Sequence, residues 1–517
     1  MELDRPAIEA ELEHILTSRC FRSRKMLSQF LRYIVRESLA GKQTQITQHA
    51  IALHALGKPT DFRAMENPLV RVQARRLRDQ LSDYYATEGR FNPLRISLPV
   101  GSYQPAFTHH ISPANAAIAL QHKPAPSTSL GPGIVCIPRL FVTNEITGWP
   151  LITRLTREYV DALTRFNFCQ VMFAQNASDQ AASLAQADFS LFFDLHNGDT
   201  GYSLKCSLVQ HQTQQIIWAE SFAIGNHYPA PPLLNAIFKR IANDSVSLER
   251  GLAHDVWARQ LLDAGKPIAD HHRVMIAARQ QLWELSAVNF RNLRLVCEQR
   301  LEQFPHDIQA TIIYADLCRS EYLLKYREFE SLKIHWARVA DTLMQLAPGN
   351  AHSHLYAAGA YLLEEEYELC LKALQAAQAI NSLDTHLNTI SGLIHIGMGD
   401  WATGSQLIQD SVDISPIYPD WYHIPLCMSH YREGRYLTAM QEAKKIRLKH
   451  FWGPMLRTAL YQRNDLWGKA DKEYQQLAQT CPDFVQTGQS LAQSFTHKVN
   501  QVIGKVWADV PNDTKQL

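Results

Sequence analysis

Apolar residues recur at helical spacing from the start of the chain. Ile8, Leu12, Ile15 and Leu16 form one set, and Leu27, Phe30, Leu31, Ile34, Val35 and Leu39 a second, each confined to one helix face. A third, short helix is predicted over Ile46 to Leu56, with Gly57 and Pro59 stopping it. A fourth runs from Pro68 to Glu88 and buries Val70, Ala74, Leu77, Leu81 and Tyr84, with Gly89 as its stop. The period then changes to two. Residues 95–107, RISLPVGSYQPAF, read as two short strands joined around Pro99 to Ser102, a β-ribbon.

Residues 109–132, HHISPANAAIALQHKPAPSTSLGP, hold neither period and are rich in Pro, Ala and Ser, as an interdomain linker is. Beyond them GIVCIPRLF has the character of a buried strand and Leu151 to Arg165 that of an amphipathic helix. Residues 187–222 predict three strands, with turns at Asn197-Gly198-Asp199 and at Gln212 to Gln215. Strand, helix, then antiparallel strands imply a small α/β domain. The rest of the chain is helical in period and repeats. Tyr367, Trp401 and Tyr436 stand 34 and 35 residues apart, and three positions after each comes a small residue, Cys370, Gly404 or Ala439, where two helices can approach closely. Pro416 breaks the chain between pairs, NDLWGKADKEYQQLAQTCP ending at Pro482 reads as a further copy, and Pro305 and Pro348 close two more degenerate ones. This pattern resembles the tetratricopeptide repeat over residues 351–482, and more loosely over 285–350, departing where His354 and Ala357 replace the usual Trp and Leu. Trp401, Trp421, Trp452 and Trp467 are expected to be mostly interhelical core.

A chain of 517 residues is too long for one hydrophobic core. Its 46% hydrophobic and 20% charged residues exclude a largely disordered chain or a disulfide-dense secreted module. Charge is uneven: residues 1–107 hold 16 Lys/Arg against 11 Asp/Glu, and the remainder 35 against 39. A basic end on a near-neutral protein suits a polyanion. Nine cysteines without a CxxC pair point to a reducing compartment. His109-His110 and His271-His272 lack Cys or carboxylate partners at metal-site spacing, so no metal is expected, and nothing calls for a cofactor. With no signal peptide or apolar span in the sequence, the expected location is cytoplasmic and no membrane partner is foreseen.

At 100° per residue, Val70, Ala74, Leu77 and Leu81 form the buried stripe of the fourth helix, with Arg75 and Arg76 on the opposite half and Arg71 and Arg78 flanking. Guanidinium groups so placed suit a major groove, where they can fork onto guanine or phosphate. Val70, Val72, Arg76, Leu77, Arg78 and Leu81, followed by Gly101, Ser102 and Tyr103, resemble the recognition helix and wing of OmpR/PhoB-type response regulators, although two helices stand where that family has a small N-terminal sheet. The resemblance implies a winged helix and double-stranded DNA as partner, contacted by Arg71, Gln73, Arg75, Arg76, Arg78, Arg95 and Ser102. Arg22, Arg24, Lys25, Arg32 and Arg36 on the second helix read as surface rather than phosphate contacts.

Ile134 to Leu140, Ala187, Asp188, Trp218 and Glu220 stand where TolB-like domains carry their opening-strand and closing patterns. The order of parts is similar to HilA/CadC-type regulators and to adenylate-cyclase-like repeat proteins, yet no GxxxxGK[ST], GxSxG or HExxH motif occurs, so no enzyme is expected. Asp188 and Asp194 read as strand-end solubilising residues rather than metal ligands. The expected fold is multidomain and mostly α: a winged helix over 1–108, a linker over 109–132, a small α/β domain over 133–228 and a tetratricopeptide-like α-solenoid over 229–517. The expected function is a bacterial DNA-binding transcription regulator whose repeats bind a protein partner or effector in their concave groove, or self-associate. The alternative is an interaction scaffold without DNA binding.

Overall fold

The computed structural model describes residues 5–18, 20–22, 24–59, 62, 69–86, 88–89, 94–99, 102–109, 130–142, 145–174, 184, 186–198, 201–225, 227–265, 267–326, 329–414, 418–480 and 495–510. The chain divides into two compact units, one of residues 1–127 with 333–341, the other of residues 128–332 with 342–517. Among the described residues no helix is long and apolar enough to cross a membrane.

The first unit is built from α1 (Arg5–Thr17), α2 (Lys25–Leu39), the short α3 (Gln48–Ala50) continuing as a π turn over Ile51–Ala55, α4 (Leu69–Ala86), and an antiparallel hairpin of β1 (Leu94–Ser97) and β2 (Ala106–His109). These are the elements the periodicity predicts. Thr47 starts α3 by accepting the Ala50 amide on its side chain at 3.2 Å, and Gly57, in the left-handed region at φ 62°, follows its end. Ile8, Leu12, Ile15, Phe30, Leu31, Ile34, Val70, Ala74, Leu77, Leu81, Leu94 and Ile96 share one core, each burial contributing about 1.5 to 3 kcal/mol for the larger side chains. One hydroxyl ties three elements together there: Tyr85 donates to Glu11 Oε1 at 3.0 Å and accepts the Ile96 amide at 2.7 Å. Gly89 answers to a steric demand, since a Cβ there would lie 2.4 Å from Cε1 of Tyr84.

The Pro/Ala/Ser-rich stretch falls largely outside the described residues; at its edges His109 belongs to β2, and Leu130, Gly131 and Pro132 are buried. The second unit opens with a mixed five-stranded sheet in the order β4-β3-β5-β6-β7. Its strands are β3 (Gly133–Phe141), β4 (Gln170–Phe173), β5 (Phe189–Gly198), β6 (Gly201–Gln210) and β7 (Ile216–Gly225), with α5 (Glu145–Leu163) between β3 and β4. β3 pairs parallel with β4 and β5, and β5, β6 and β7 form an antiparallel meander. The meander follows the predicted turns, of which Asp199 lies outside the described residues. β4 was not foreseen, because a four-residue strand without strict alternation gives little periodic signal.

Helices follow to the end of the described chain: α6 (Pro231–Ser245), α7 (Leu252–Asp263), α8 (Arg273–Trp283), α9 (Ala287–Gln303), α10 (Ile308–Leu324), α11 (Phe329–Leu346), α12 (Ala351–Leu363), α13 (Tyr367–Ile380), α14 (Thr385–Met398), α15 (Trp401–Ile414), α16 (His423–Arg432), α17 (Tyr436–Lys445), α18 (Trp452–Arg463), α19 (Trp467–Thr480) and α20 (His497–Ala508). From α12 to α19 they stack as antiparallel pairs, and the aromatic residues of the repeat each open the second helix of a pair. The small residue three positions on is buried every time, and a Cβ at Gly404 would come within 2.5 Å of the Gly392 carbonyl on the facing helix. Two positions before each aromatic, Glu365, Gly399, Gly434 and Asp465 take the left-handed conformation that turns the chain. These are tetratricopeptide-like pairs. The aromatics themselves diverge: Trp401 is 4% exposed, whereas Trp467 is 57% exposed, so that residue departs from the core role expected of it. Pro416 and Pro482 lie outside the described residues.

Candidate functional site

Two arrangements of charge stand out, one on the surface of the first unit and one inside the second. On α4 the buried residues Val70, Gln73, Ala74, Leu77, Gln80, Leu81, Tyr84 and Tyr85 occupy one arc of about 140°, which leaves the opposite arc to Arg71, Val72, Arg75, Arg76 and Asp79. Arg71 and Arg76 are exposed and make no ion pair among the described residues, and Val72 is an exposed apolar side chain between them. Arg75 is half-buried.

The remaining predicted contacts are placed differently. Gln73 is buried, so its side chain does not reach the outer face. Arg78 turns toward the hairpin, donating through Nε to the Leu98 carbonyl at 2.9 Å and through Nη2 to Pro99 at 3.2 Å and Ser102 at 3.4 Å. Its guanidinium thereby sets the hairpin against α4. Arg95 lies over the Tyr85 ring, 5.2 Å from its centroid, and burial lowers its pKa from the ordinary arginine value. Ser102 closes the turn by accepting the Gln104 amide on Oγ at 3.0 Å. On α2 and just before it, Arg22, Arg24, Lys25 and Arg36 are exposed.

In the sheet, Asp188 is exposed at the start of β5, the strand-end place expected of it, whereas Asp194 is not a strand-end solubiliser. Asp194 is buried in the middle of β5 and holds Arg139 of β3 through two bonds of 2.6 Å, while Asp188 accepts the Gly133 amide at 2.8 Å and so fixes the start of β3. Partial desolvation raises the Asp188 pKa above the usual carboxylate value, the Gly133 bond partly offsetting it.

The second arrangement is a buried ionic cluster. Asn243 to Arg250 are all buried, and they lie against the first helices of successive pairs. Asn243 donates to the Leu383 carbonyl at 2.8 Å and accepts the Thr385 amide and hydroxyl at 2.9 and 2.6 Å. Glu249 accepts from Trp421 Nε1 at 2.9 Å and from the Tyr422 hydroxyl at 2.7 Å, with His386 Nδ1 2.9 Å from its Oε2. The other nitrogen of His386 is 3.3 Å from Asp316, which also holds Arg319 at 2.7 Å and the Tyr356 hydroxyl at 3.1 Å. Arg250 donates to the Ser411 carbonyl at 2.9 Å.

On Glu249, Asp316, Arg319 and His386 burial opposes charge, and their neighbours outweigh it. Glu249 and Asp316, on either side of His386, raise its pKa to about 10. His386, Arg319 and Tyr422 in turn hold Glu249 below the usual carboxylate value, and Arg319 and His386 hold Asp316 well below it. His352, 6.4 Å from the His386 ring, has one carboxylate in contact, Asp384 at 3.8 Å from its Nε2, and burial together with the His386 charge lowers its pKa to about 3. The repeat face expected to lie open to a ligand is thus filled, over these residues, by the chain's own segment. Further links run the same way: Leu130 donates to Gln309 at 3.0 Å, Phe168 meets the His352 ring at 5.4 Å, and Arg240 bonds both Glu220 of β7 and the Ile414 carbonyl.

No family model matches the chain, and no curated protein does either. Among solved structures, Pseudomonas aeruginosa pilF is 15% identical, over 43% of this chain and 99% of that one, with a TM-score of 0.29. YrrB, described as a TPR protein with an unusual peptide-binding site, is 16% identical over 36% and 93%, with a TM-score of 0.24. The Cut9-Hcn1 assembly of the APC/C is 13% identical over 55% and 53%, with a TM-score of 0.35. The repeat architecture rests on the helix pairs themselves.

The buried cluster escaped the sequence reading. A signal was present: His352 and His386 are 34 residues apart, each second in the first helix of its pair, so a titratable residue recurs at the repeat period. What the sequence lacks is any local sign that Glu249, more than a hundred residues earlier, meets His386.

Proposed function

We propose that the chain is a DNA-binding transcription regulator whose first unit is a winged helix and whose repeats serve protein interaction. The observation that carries this is the outer arc of α4, where Arg71 and Arg76 are exposed and have no ion pair among the described residues, on a helix followed by an antiparallel hairpin. Guanidinium groups reach both phosphates and the guanine edge, and Val72 offers an apolar contact of the kind a thymine methyl takes. The basic balance of residues 1–107 supports the same polyanion. In this reading Arg78 is a positioning residue, because its guanidinium is engaged by the Leu98, Pro99 and Ser102 carbonyls. DNA contact then concentrates on Arg71, Arg75 and Arg76. The role is non-catalytic.

The test is fluorescence anisotropy of labelled duplex DNA with the full chain at several salt concentrations. Affinity is expected to fall steeply with salt, as neutralised phosphates release counterions. A chain that is folded yet binds no duplex at low salt would replace the regulator with the interaction scaffold.

A further inference from the structure

Helix α20 lies across the ends of α14, α16 and α18. It is anchored at its start by the Thr496 hydroxyl, which donates to the Gly397 carbonyl at 2.7 Å, and just past its end by Asp509, which accepts Arg463 Nε at 2.6 Å and the Tyr431 hydroxyl. Between the anchors a cavity of about 580 Å³ opens, within the ~300 to 1,000 Å³ of small-molecule sites, lined by Met398, Trp401, Arg432, Lys498, Val502 and Lys505, with Gly399 and Gln501 completing it.

Its charge is one-sided. Lys498, Gln501, Val502 and Lys505 follow the spacing of a single helix face, which brings two ammonium groups to the same side, and Arg432 ends α16 beside the Trp401 ring at 5.7 Å. The carboxylates close to this cleft in sequence are engaged elsewhere: Asp400 with His395 and the Thr403 amide, Glu433 with Arg435, and Asp509 with Arg463 and Tyr431. Among the described residues no carboxylate lines the cavity, and none of the three cations has an ion pair.

We propose that this cleft binds a small phosphorylated organic molecule, its phosphate held by Lys498, Lys505 and Arg432 and its body against Met398, Trp401 and Val502. Three separate cations match the several acceptor oxygens of a phosphate better than the two of a carboxylate, and lysine serves phosphate well as a point charge. The small anion sits far from the α4 arginines in the chain and needs no duplex, so this inference stands or falls independently of DNA binding.

The test is isothermal titration of the full chain, at physiological salt, with adenosine monophosphate, inorganic phosphate and uncharged adenosine. The monophosphate is expected to bind more tightly than inorganic phosphate, and adenosine not to bind measurably. In the double variant Lys498→Gln with Lys505→Gln the monophosphate affinity should fall at least roughly tenfold, since each substitution removes a charge-assisted bond, while the melting temperature stays unchanged. Absence of heat with every probe at millimolar concentration, or full affinity in the double variant, overturns the proposal. Equal affinity for monophosphate and inorganic phosphate overturns the organic body.

Discussion

The outer face of α4 and the cluster around His386 are both helical surfaces dense in charge, and they differ in where the opposite charge is found. Around His386 it lies within the chain: Glu249, Asp316, Arg319 and His386 satisfy one another away from water. On α4 the exposed Arg71 and Arg76 have no ion pair among the described residues. Charge density along a sequence therefore does not by itself mark a binding surface. Buried ions must be compensated by the fold or they would cost several kcal/mol each, and once compensated they fix the geometry of the segments that carry them. Exposed ions cost almost nothing to leave unpaired, so they stay available to a partner.

The comparison is broken most severely by removing one member of the buried set. Glu249→Ala leaves the Trp421 indole, the Tyr422 hydroxyl and the His386 imidazolium without their acceptor, and loss of one partner from a buried ionic set costs about 3 to 5 kcal/mol. Denaturant unfolding followed by far-ultraviolet circular dichroism should show the helical transition shifted by that amount. A loss below about 1 kcal/mol, the range of surface pairs, would mean the cluster does not hold the segment.

Titration sharpens the same contrast. The folded pKa of His386, about 10, lies above its ordinary 6.5, so the stability it contributes is fully present below about pH 6.5 and is lost as pH rises through 10. The difference in unfolding free energy between the native chain and His386→Gln should therefore be largest at neutral pH or below, of the order of a few kcal/mol, and shrink toward pH 10. A difference that is flat with pH would show that His386 is not charged in the folded protein.

A smaller effect separates two arginines on one helix. Arg78→Ala removes charge-assisted bonds to the Leu98, Pro99 and Ser102 carbonyls and should cost about 1.5 to 3 kcal/mol in the first unit, with the hairpin loosened. Faster hydrogen exchange at the Ile96 amide, with little change on α1, would mark the loss as local to the hairpin. Unchanged exchange there would assign Arg78 to the surface set after all.

Much of this architecture was legible before the fold was known, because periodicity reports burial directly. The apolar sets of α1, α2 and α4, the hairpin after α4, the meander of β5 to β7 and the recurrence of one aromatic per helix pair all follow from spacing. Side-chain direction at a given register was less legible. Gln73 and Gln80 are polar yet buried at the edge of the apolar arc, which helical spacing alone does not separate from the exposed edge. Arg78 sits at an angle that reads as surface but reaches the hairpin because its long stem spans the gap. The Glu249 to His386 contact joins segments too distant in sequence for any local pattern to reveal. The segment that fills the repeat face is invisible for the same reason, since a groove inferred from repeats is assumed empty until the rest of the chain is placed.

The smallest expected change is also the one that bears most directly on function. Arg76 is exposed on the arc opposite Val70, Leu77 and Leu81, so Arg76→Ala removes no core contact and no ion pair among the described residues. The melting temperature should hold within the error of a surface substitution, roughly 0.5 kcal/mol. Affinity for a preferred duplex should nevertheless drop by about 1 to 3 kcal/mol if the guanidinium forks onto a base, with a matching loss of discrimination at one position. A phosphate contact gives a different signature, a weakening spread evenly over all sequences with a salt slope shallower by about one. Measuring Arg71→Ala beside it on the same duplexes, at several salt concentrations, assigns each arginine to one of the two roles. If both variants bind every duplex as the native chain does, the outer arc of α4 is a solvated surface, and the exposed arginines differ from the buried cluster only in lacking a partner.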